Sequence, residues 1–296
     1  MRGHTTLTVS LALASGICTP LRAETPASKA PTYPFYALVN GVKDAKHATP
    51  ESQARMLKAL GYDGIGTSGV EGVPEMLAAL DRHGLKLFTI YVGAFLDADK
   101  PKYDPRLLDV IKGLKGRDTM IWLTIRSDKH KPSTVAGDPR AVEIVRELAD
   151  AAQQSQVRIA LYPHTWFWME CVEDAVRVAK KVDRKNVGVT FNLCHWLKVD
   201  KPGTMMDRLR LAQPHLFQVT INGADAEPKG GWDRLIQTLD RGSFDVGSLL
   251  KALKRLGYAG PVGLQCYNVK GDKHENLKRS VAAWRDLNAR LAAEPK

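Results

Sequence analysis

Met120-Ile121-Trp122-Leu123-Thr124-Ile125 holds a single polar residue and lacks the alternation that would leave one face for water. Strands of that composition are buried on both faces, and such strands belong to parallel sheets covered by helices. The flanking chain fits that setting. Helical runs at 105–114 and 138–153 enclose the stretch, the second opened by Asp138-Pro139, an acidic cap followed by a proline suited to a first turn.

Outward from this unit the alternation continues. Strand-like runs fall at 35–42, 64–67, 86–92, 158–162, 187–192, 217–221 and 262–266, and amphipathic runs follow at 51–61, 73–83, 172–181, 205–212, 245–256 and 275–291. Eight strands alternating with helices predict an α/β fold made of a single (β/α)8 TIM barrel over residues 35–291. An open doubly wound sheet would usually carry a glycine-rich phosphate turn after its first strand, and none is present.

A chain of 296 residues, 44% hydrophobic and 25% charged, has enough apolar surface for one such domain. Its start differs from the rest. Met1-Arg2-Gly3-His4, an apolar run from Leu7 to Leu13 and Leu21-Arg22-Ala23 have the order of a secretory signal peptide at 1–23, followed by a linker at 24–34 and, at the other end, a tail at 292–296. The expected location is the periplasm or the exterior, with no membrane contact after signal removal.

The formal charge of +11 becomes +9 without Arg2 and Arg22. Basic residues recur around the predicted helices with no arm or aromatic-interleaved patch, so a solvated outer ring is expected and no nucleic-acid partner. Cys171, Cys194 and Cys266 are an odd set beyond the signal segment, which excludes a fully paired disulfide framework.

In a barrel of this kind function sits at the C-terminal ends of the strands. Strand five ends in Tyr162-Pro163-His164-Thr165-Trp166, strand six in Asn192-Leu193-Cys194-His195-Trp196, strand seven in Asn222-Gly223-Ala224-Asp225 and strand eight in Gln265-Cys266-Tyr267. His164 and His195 are candidates for acid/base work with Tyr162, or for structural hydrogen bonding. Asn192, Asn222 and Gln265 suit hydroxyl recognition or loop support, Trp166 and Tyr267 offer flat faces to a sugar ring, and Asp225 adds an acid. Tyr36, Asn40, Tyr91 and Arg126 are the corresponding candidates in the first half. Arg126 would either meet an acidic ligand group or pair with Asp128 or Asp225.

The runs Asn186-Val187-Gly188-Val189-Thr190-Phe191-Asn192-Leu193-Cys194-His195, Asp240-Arg241-Gly242-Ser243-Phe244-Asp245 and Leu256-Gly257-Tyr258-Ala259-Gly260-Pro261-Val262-Gly263-Leu264-Gln265 resemble the xylose isomerase-like barrel superfamily. That superfamily contains sugar isomerases and epimerases, inosose dehydratases and an apurinic endonuclease branch. In its sugar enzymes a divalent metal is held by Glu, Asp, His and Glu on strands five to eight; the matching positions here are Tyr162, Asn192, Thr220 and Gln265. All four depart from the pattern, so the expectation is a degenerate metal site and no family-type manganese or magnesium. A softer metal on His164 and His195 stays open.

The resemblance implies an exported isomerase-, epimerase- or lyase-like protein acting on a carbohydrate or cyclitol. A catalytically inactive carbohydrate-binding barrel is the alternative. Neither reading fixes the oligomeric state.

Overall fold

The computed structural model describes residues 33–227 and 230–293, with Met1 and Gly3. Apart from those two residues and 33–34, the expected signal segment and linker lie outside the described residues, as do 294–296 of the tail.

Eight parallel strands follow one another around a closed barrel: β1 Phe35–Leu38, β2 Gly64–Ser68, β3 Lys86–Phe95, β4 Met120–Arg126, β5 Arg158–Leu161, β6 Val187–Asn192, β7 Leu216–Ile221 and β8 Val262–Leu264. β8 returns to β1 with Tyr36 opposite Gly263. The helices are α1 Pro50–Leu60, α2 Val73–His83, α3 Leu107–Gly113, α4 Asp138–Gln154, α5 Val172–Val182, α6 Leu193–Val199, α7 Met205–Ala212, α8 Trp232–Leu235, α9 Val246–Arg255 and α10 Lys273–Ala293.

Local chemistry sets the boundaries. Thr49 accepts from the Ser52 amide and Ser52 bonds back, Pro50 opens α1, and Gly61 closes it at φ 86°. The first strand is shorter than expected, because Val39–Gly41 turns as a 3-10 segment. β5 and β8 also stop early, so Tyr162 and Gln265 stand just beyond their strands. α10 runs two residues into the expected tail. The helix α6, absent from the sequence reading, begins directly at the end of β6.

Alternation along β4 divides the core in two. Met120 and Trp122 point into the barrel with Tyr36, Phe88, Ala160 and Tyr162, while Ile121, Leu123 and Ile125 lie under the helices. The Tyr36 ring fits because neighbouring strands carry glycine: a Cβ at Gly263 would lie 2.7 Å from Tyr36 Cζ. Higher in the barrel, Tyr162 stacks on Trp122 at 3.9 Å and 18° between planes, and Trp122 Nε1 donates to Thr190 Oγ1 at 3.0 Å. This stack is the floor of the barrel mouth.

Candidate functional site

Above that floor the strand ends open into a cavity of about 580 Å³. Another hollow, about 370 Å³, lies at the opposite end beside Lys86, Asp118 and Arg158, whose charges already pair with one another. The mouth is where this fold places chemistry.

Tyr162, His164, Trp166, His195, Arg126, Gln265 and Tyr267 all line the mouth cavity, with Asn40 and Tyr91 from the first half of the barrel. Four expected contacts fall elsewhere, the first of them Tyr36, which is fully buried inside the barrel. Asn222 is fully buried, and its Nδ2 donates to the carbonyls of Gly223 and Leu235, fastening the loop after β7. Asp225 is occupied by Arg234 at 2.8 Å and by the Ser243 amide. Asn192 lies beneath the cavity. Phe167, Trp232 and Ser68 line it without having been singled out.

The two histidines come together at 4.0 Å between ring centroids. Thr165 lies between them in bonding. His164 Nδ1 is 3.0 Å from the Thr165 carbonyl, whereas His195 Nδ1 is 3.3 Å from the Thr165 amide and 3.0 Å from its hydroxyl. A carbonyl only accepts and an amide N–H only donates, so the backbone assigns opposite tautomers. Neutral His164 carries its proton on Nδ1 and exposes a lone pair at Nε2; neutral His195 carries its proton on Nε2.

Among the described residues neither Nε2 has a protein partner, and neither is sealed from the cavity. Burial keeps both rings neutral. It pushes His164 down to about 4, with Arg126 adding a smaller repulsion, and His195 falls well below the usual histidine range through burial and then His164. Tyr162 touches both rings edge-on at 5.6 and 5.4 Å, and burial raises its hydroxyl well above the ordinary value, so it stays protonated.

The loop carrying His164 is pinned where it enters α5. Asp174, buried at the start of α5, accepts from Ser133 Oγ at 2.6 Å, from the amides of Glu170 and Cys171, and from Arg177 at 2.6 Å through its other oxygen.

Of the four positions expected to match the superfamily's metal ligands, Tyr162, Asn192 and Thr220 converge on one another. Asn192 Nδ2 donates to Thr220 Oγ1 at 2.6 Å and to Tyr162 Oη at 3.2 Å. Asn192 Oδ1 accepts from the His195 amide at 3.0 Å. Gln265 Oε1 turns away to Asn40 Nδ2 at 2.9 Å and the Tyr267 amide at 3.1 Å. An NH2 donor therefore stands among neutral oxygens where a cation would need carboxylates, and this donor set does not fit a hard divalent ion. No group of three or more His, Cys, Asp or Glu among the described residues is arranged to hold a metal. The histidine pair supplies only two imidazoles.

Arg126 forms neither ion pair considered from the sequence, since Asp128 pairs with Lys100 and Asp225 with Arg234. Its guanidinium instead lies over Phe167 at 4.0 Å and donates to Tyr91 Oη at 3.1 Å. Phe167 stacks on His164 at 3.9 Å, so the phenyl ring is sandwiched between guanidinium and imidazole. At the rim, Trp166 is 67% exposed and adopts φ 69°, its amide held by Glu170 at 2.8 Å and its ring edge-on to Trp232.

Solved structures share this fold at low identity. A 3-keto-D-glucoside 4-epimerase from E. coli superposes with TM-score 0.70 and 18% identity over 86% of this chain and 100% of its own. An IOLI protein with a bound zinc atom gives 0.68 and 16% over 88% and 99%. A D-psicose 3-epimerase from Clostridium cellulolyticum H10, solved with D-tagatose, gives 0.64 and 18% over 88% and 99%. An uncharacterized protein of Methanocaldococcus jannaschii is 24% identical over 98 residues, covering 33% of this chain and 32% of that relative. Residues 54–287 match the family model described as xylose isomerase-like TIM barrel, and with the closed eight-stranded barrel this places the chain in that family.

Proposed function

We propose that the protein is an exported sugar isomerase-, epimerase- or lyase-like enzyme that moves protons at a carbon beside a carbonyl, using its histidine pair in place of a family metal. The observation that carries this reading is the pair of opposite tautomers set by Thr165: one bare Nε2 beside one protonated Nε2, both facing the same cavity. Isomerisation, epimerisation and β-elimination all need a base to take a proton and an acid to return or redirect one. His164 is the base and His195 the acid in this scheme. Tyr162 holds the floor and remains a hydroxyl, while Gln265, whose carbonyl oxygen is already occupied, keeps its NH2 for a substrate hydroxyl.

Two of the neighbouring folds are named as epimerases of sugar substrates, which supports the substrate class. The basic and apolar order of residues 1–23 supports export, and free or oxidised sugars are then the expected ligands.

The test is proton exchange at carbon. A panel of free, keto- and oxidised sugars incubated in D2O with the mature protein and EDTA is followed by NMR. Deuterium entering a C–H next to a carbonyl, lost in His164→Ala and in His195→Ala, is the expected outcome. No exchange with any member, or exchange untouched in both variants, refutes the scheme. The neutral hydrogen-bonded box around Asn192 favours a second reading, a binding barrel without turnover, which predicts sugar binding without exchange.

A further inference from the structure

Among the described residues the cavity lining carries one permanent charge. Arg126 contributes it, and no described Asp or Glu lines the same space. Several guanidinium groups elsewhere meet carboxylates, as Arg117 meets Asp81, Arg177 meets Asp138 and Asp174, and Arg208 meets Asp200 and Glu173, while Arg146 and Arg285 end on backbone carbonyls. Among the described residues Arg126 has neither a carboxylate nor a carbonyl partner, and its Nε is buried without any hydrogen-bond acceptor.

A guanidinium has five N–H donors, and the Tyr91 hydroxyl takes one of them. The phenyl faces of Phe167 and Phe95, at 4.0 and 5.9 Å, hold the group without neutralising it. A partly buried cation with spare donors and no counter-charge is an incomplete ion pair, and burying a charge that is not paired is costly. The missing partner is an anion supplied from the cavity.

Its chemistry is constrained by what surrounds Arg126. Among the described residues of the lining one guanidinium stands with no lysine and no glycine-rich turn, which suits a single negative charge on a planar group better than a phosphoryl group. The remaining described lining is mostly aromatic faces, imidazoles, amides and hydroxyls, with Leu38 and Ile236, a set that can receive a polyhydroxylated carbon skeleton.

We infer that the cavity takes a sugar bearing one carboxylate, the acid held by Arg126 and the carbon skeleton lying toward the histidine pair. This rests on the carbohydrate reading above and narrows its substrate class to sugar acids. Phe167 fixes the spacing, because it separates the anion-binding group from the imidazole it stacks on.

Calorimetric titration of the full chain tests it with D-glucuronate, D-galacturonate and D-gluconate against D-glucose and D-galactose, and with inorganic phosphate as a separate arm. At least one acid binds tenfold or more tighter than its neutral counterpart, Arg126→Gln removes that preference, and Arg126→Lys retains part of it. Circular dichroism confirms that each variant is folded, and the lysine variant serves alone if the glutamine variant is not. Equal affinity for acids and neutral sugars, no binding by any acid, a preference that survives in Arg126→Gln, or phosphate binding tighter than every acid would each overturn the inference. The two readings fail separately. Acid preference without deuterium exchange removes the enzyme and keeps this site, whereas exchange on neutral sugars with no acid preference does the reverse.

Discussion

Asn192→Asp changes one NH2 to oxygen at the centre of the hydrogen-bonded box of Asn192, Thr220 and Tyr162, and its cost follows from the hydrogen bonds there. Asn192 is 3% exposed, donates to Thr220 and Tyr162, and accepts from the His195 amide and the Cys194 thiol. An aspartate would force both hydroxyls to reverse and would bury a negative charge with no cation beside it. Full burial raises a carboxyl by up to about 3–5 units; with hydroxyl and amide donors recovering part, about 2 units remain. That displacement is worth about 3 kcal/mol once the pH exceeds the folded-state value. At about 2–4 °C per kcal/mol, melting falls by roughly 6–12 °C. The sign follows from linkage. A raised carboxyl binds its proton more tightly in the folded protein, so the loss is absent near pH 4 and complete near pH 8. Thermal melts by circular dichroism at both values decide the matter. An equal drop at pH 4 and pH 8, or no drop at pH 8, would refute the closed neutral box. So would stabilisation of the unaltered protein by millimolar manganese.

His164, lowered to about 4 by burial, leaves the unfolded chain binding an extra proton between about pH 6.5 and 4, so stability falls by about 3 kcal/mol as pH drops through that window. Denaturant titrations across the window show this slope added to one of the same sign from His195, and His164→Asn removes its own share and leaves that of His195; an unchanged slope contradicts the assignment. Gly263→Ala drives a methyl to 2.7 Å from Tyr36 Cζ and lowers stability by about 1–3 kcal/mol, measured as a urea midpoint shift, and Tyr36→Phe relieves only the hydroxyl contact at 2.8 Å and leaves the ring carbon in the way. Asp174→Ala leaves Arg177 with Asp138 as its one carboxylate and releases the amides of Glu170 and Cys171, whose lost acceptor costs about 2–3 kcal/mol. Faster hydrogen exchange over residues 163–171 identifies loop release as the cause, and unchanged protection there rules it out.

The strands were legible because burial on both faces leaves a continuous apolar record, as in Met120 to Ile125, and the helices because caps such as Thr49 and Gly61 are local. α6 was not. Phe191 to Trp196 is as apolar as a strand, and only Asn192 as a helix cap, accepting from the amide three residues on, carried the helical signal. The approach of His164 to His195 could be expected from adjacent strand ends, whereas Thr165 as the residue that sets both tautomers depends on a contact across 30 positions. Asn222 misled because an amide at a strand tip looks the same in sequence whether it faces a ligand or a carbonyl. Arg126 was recognised, yet its lack of an acid emerged only when Asp128 and Asp225 were found with other partners.

Trp166 makes the protein its own reporter. Of the six tryptophans, Trp122, Trp168, Trp196 and Trp284 are buried and Trp232 is half covered, while Trp166 stands in water at the cavity rim. Red-edge fluorescence and acrylamide quenching therefore arise chiefly from one indole beside the mouth. A ligand that covers that indole shifts emission to shorter wavelength and protects it from quencher, so occupancy of the mouth can be followed in solution without a label or a known reaction.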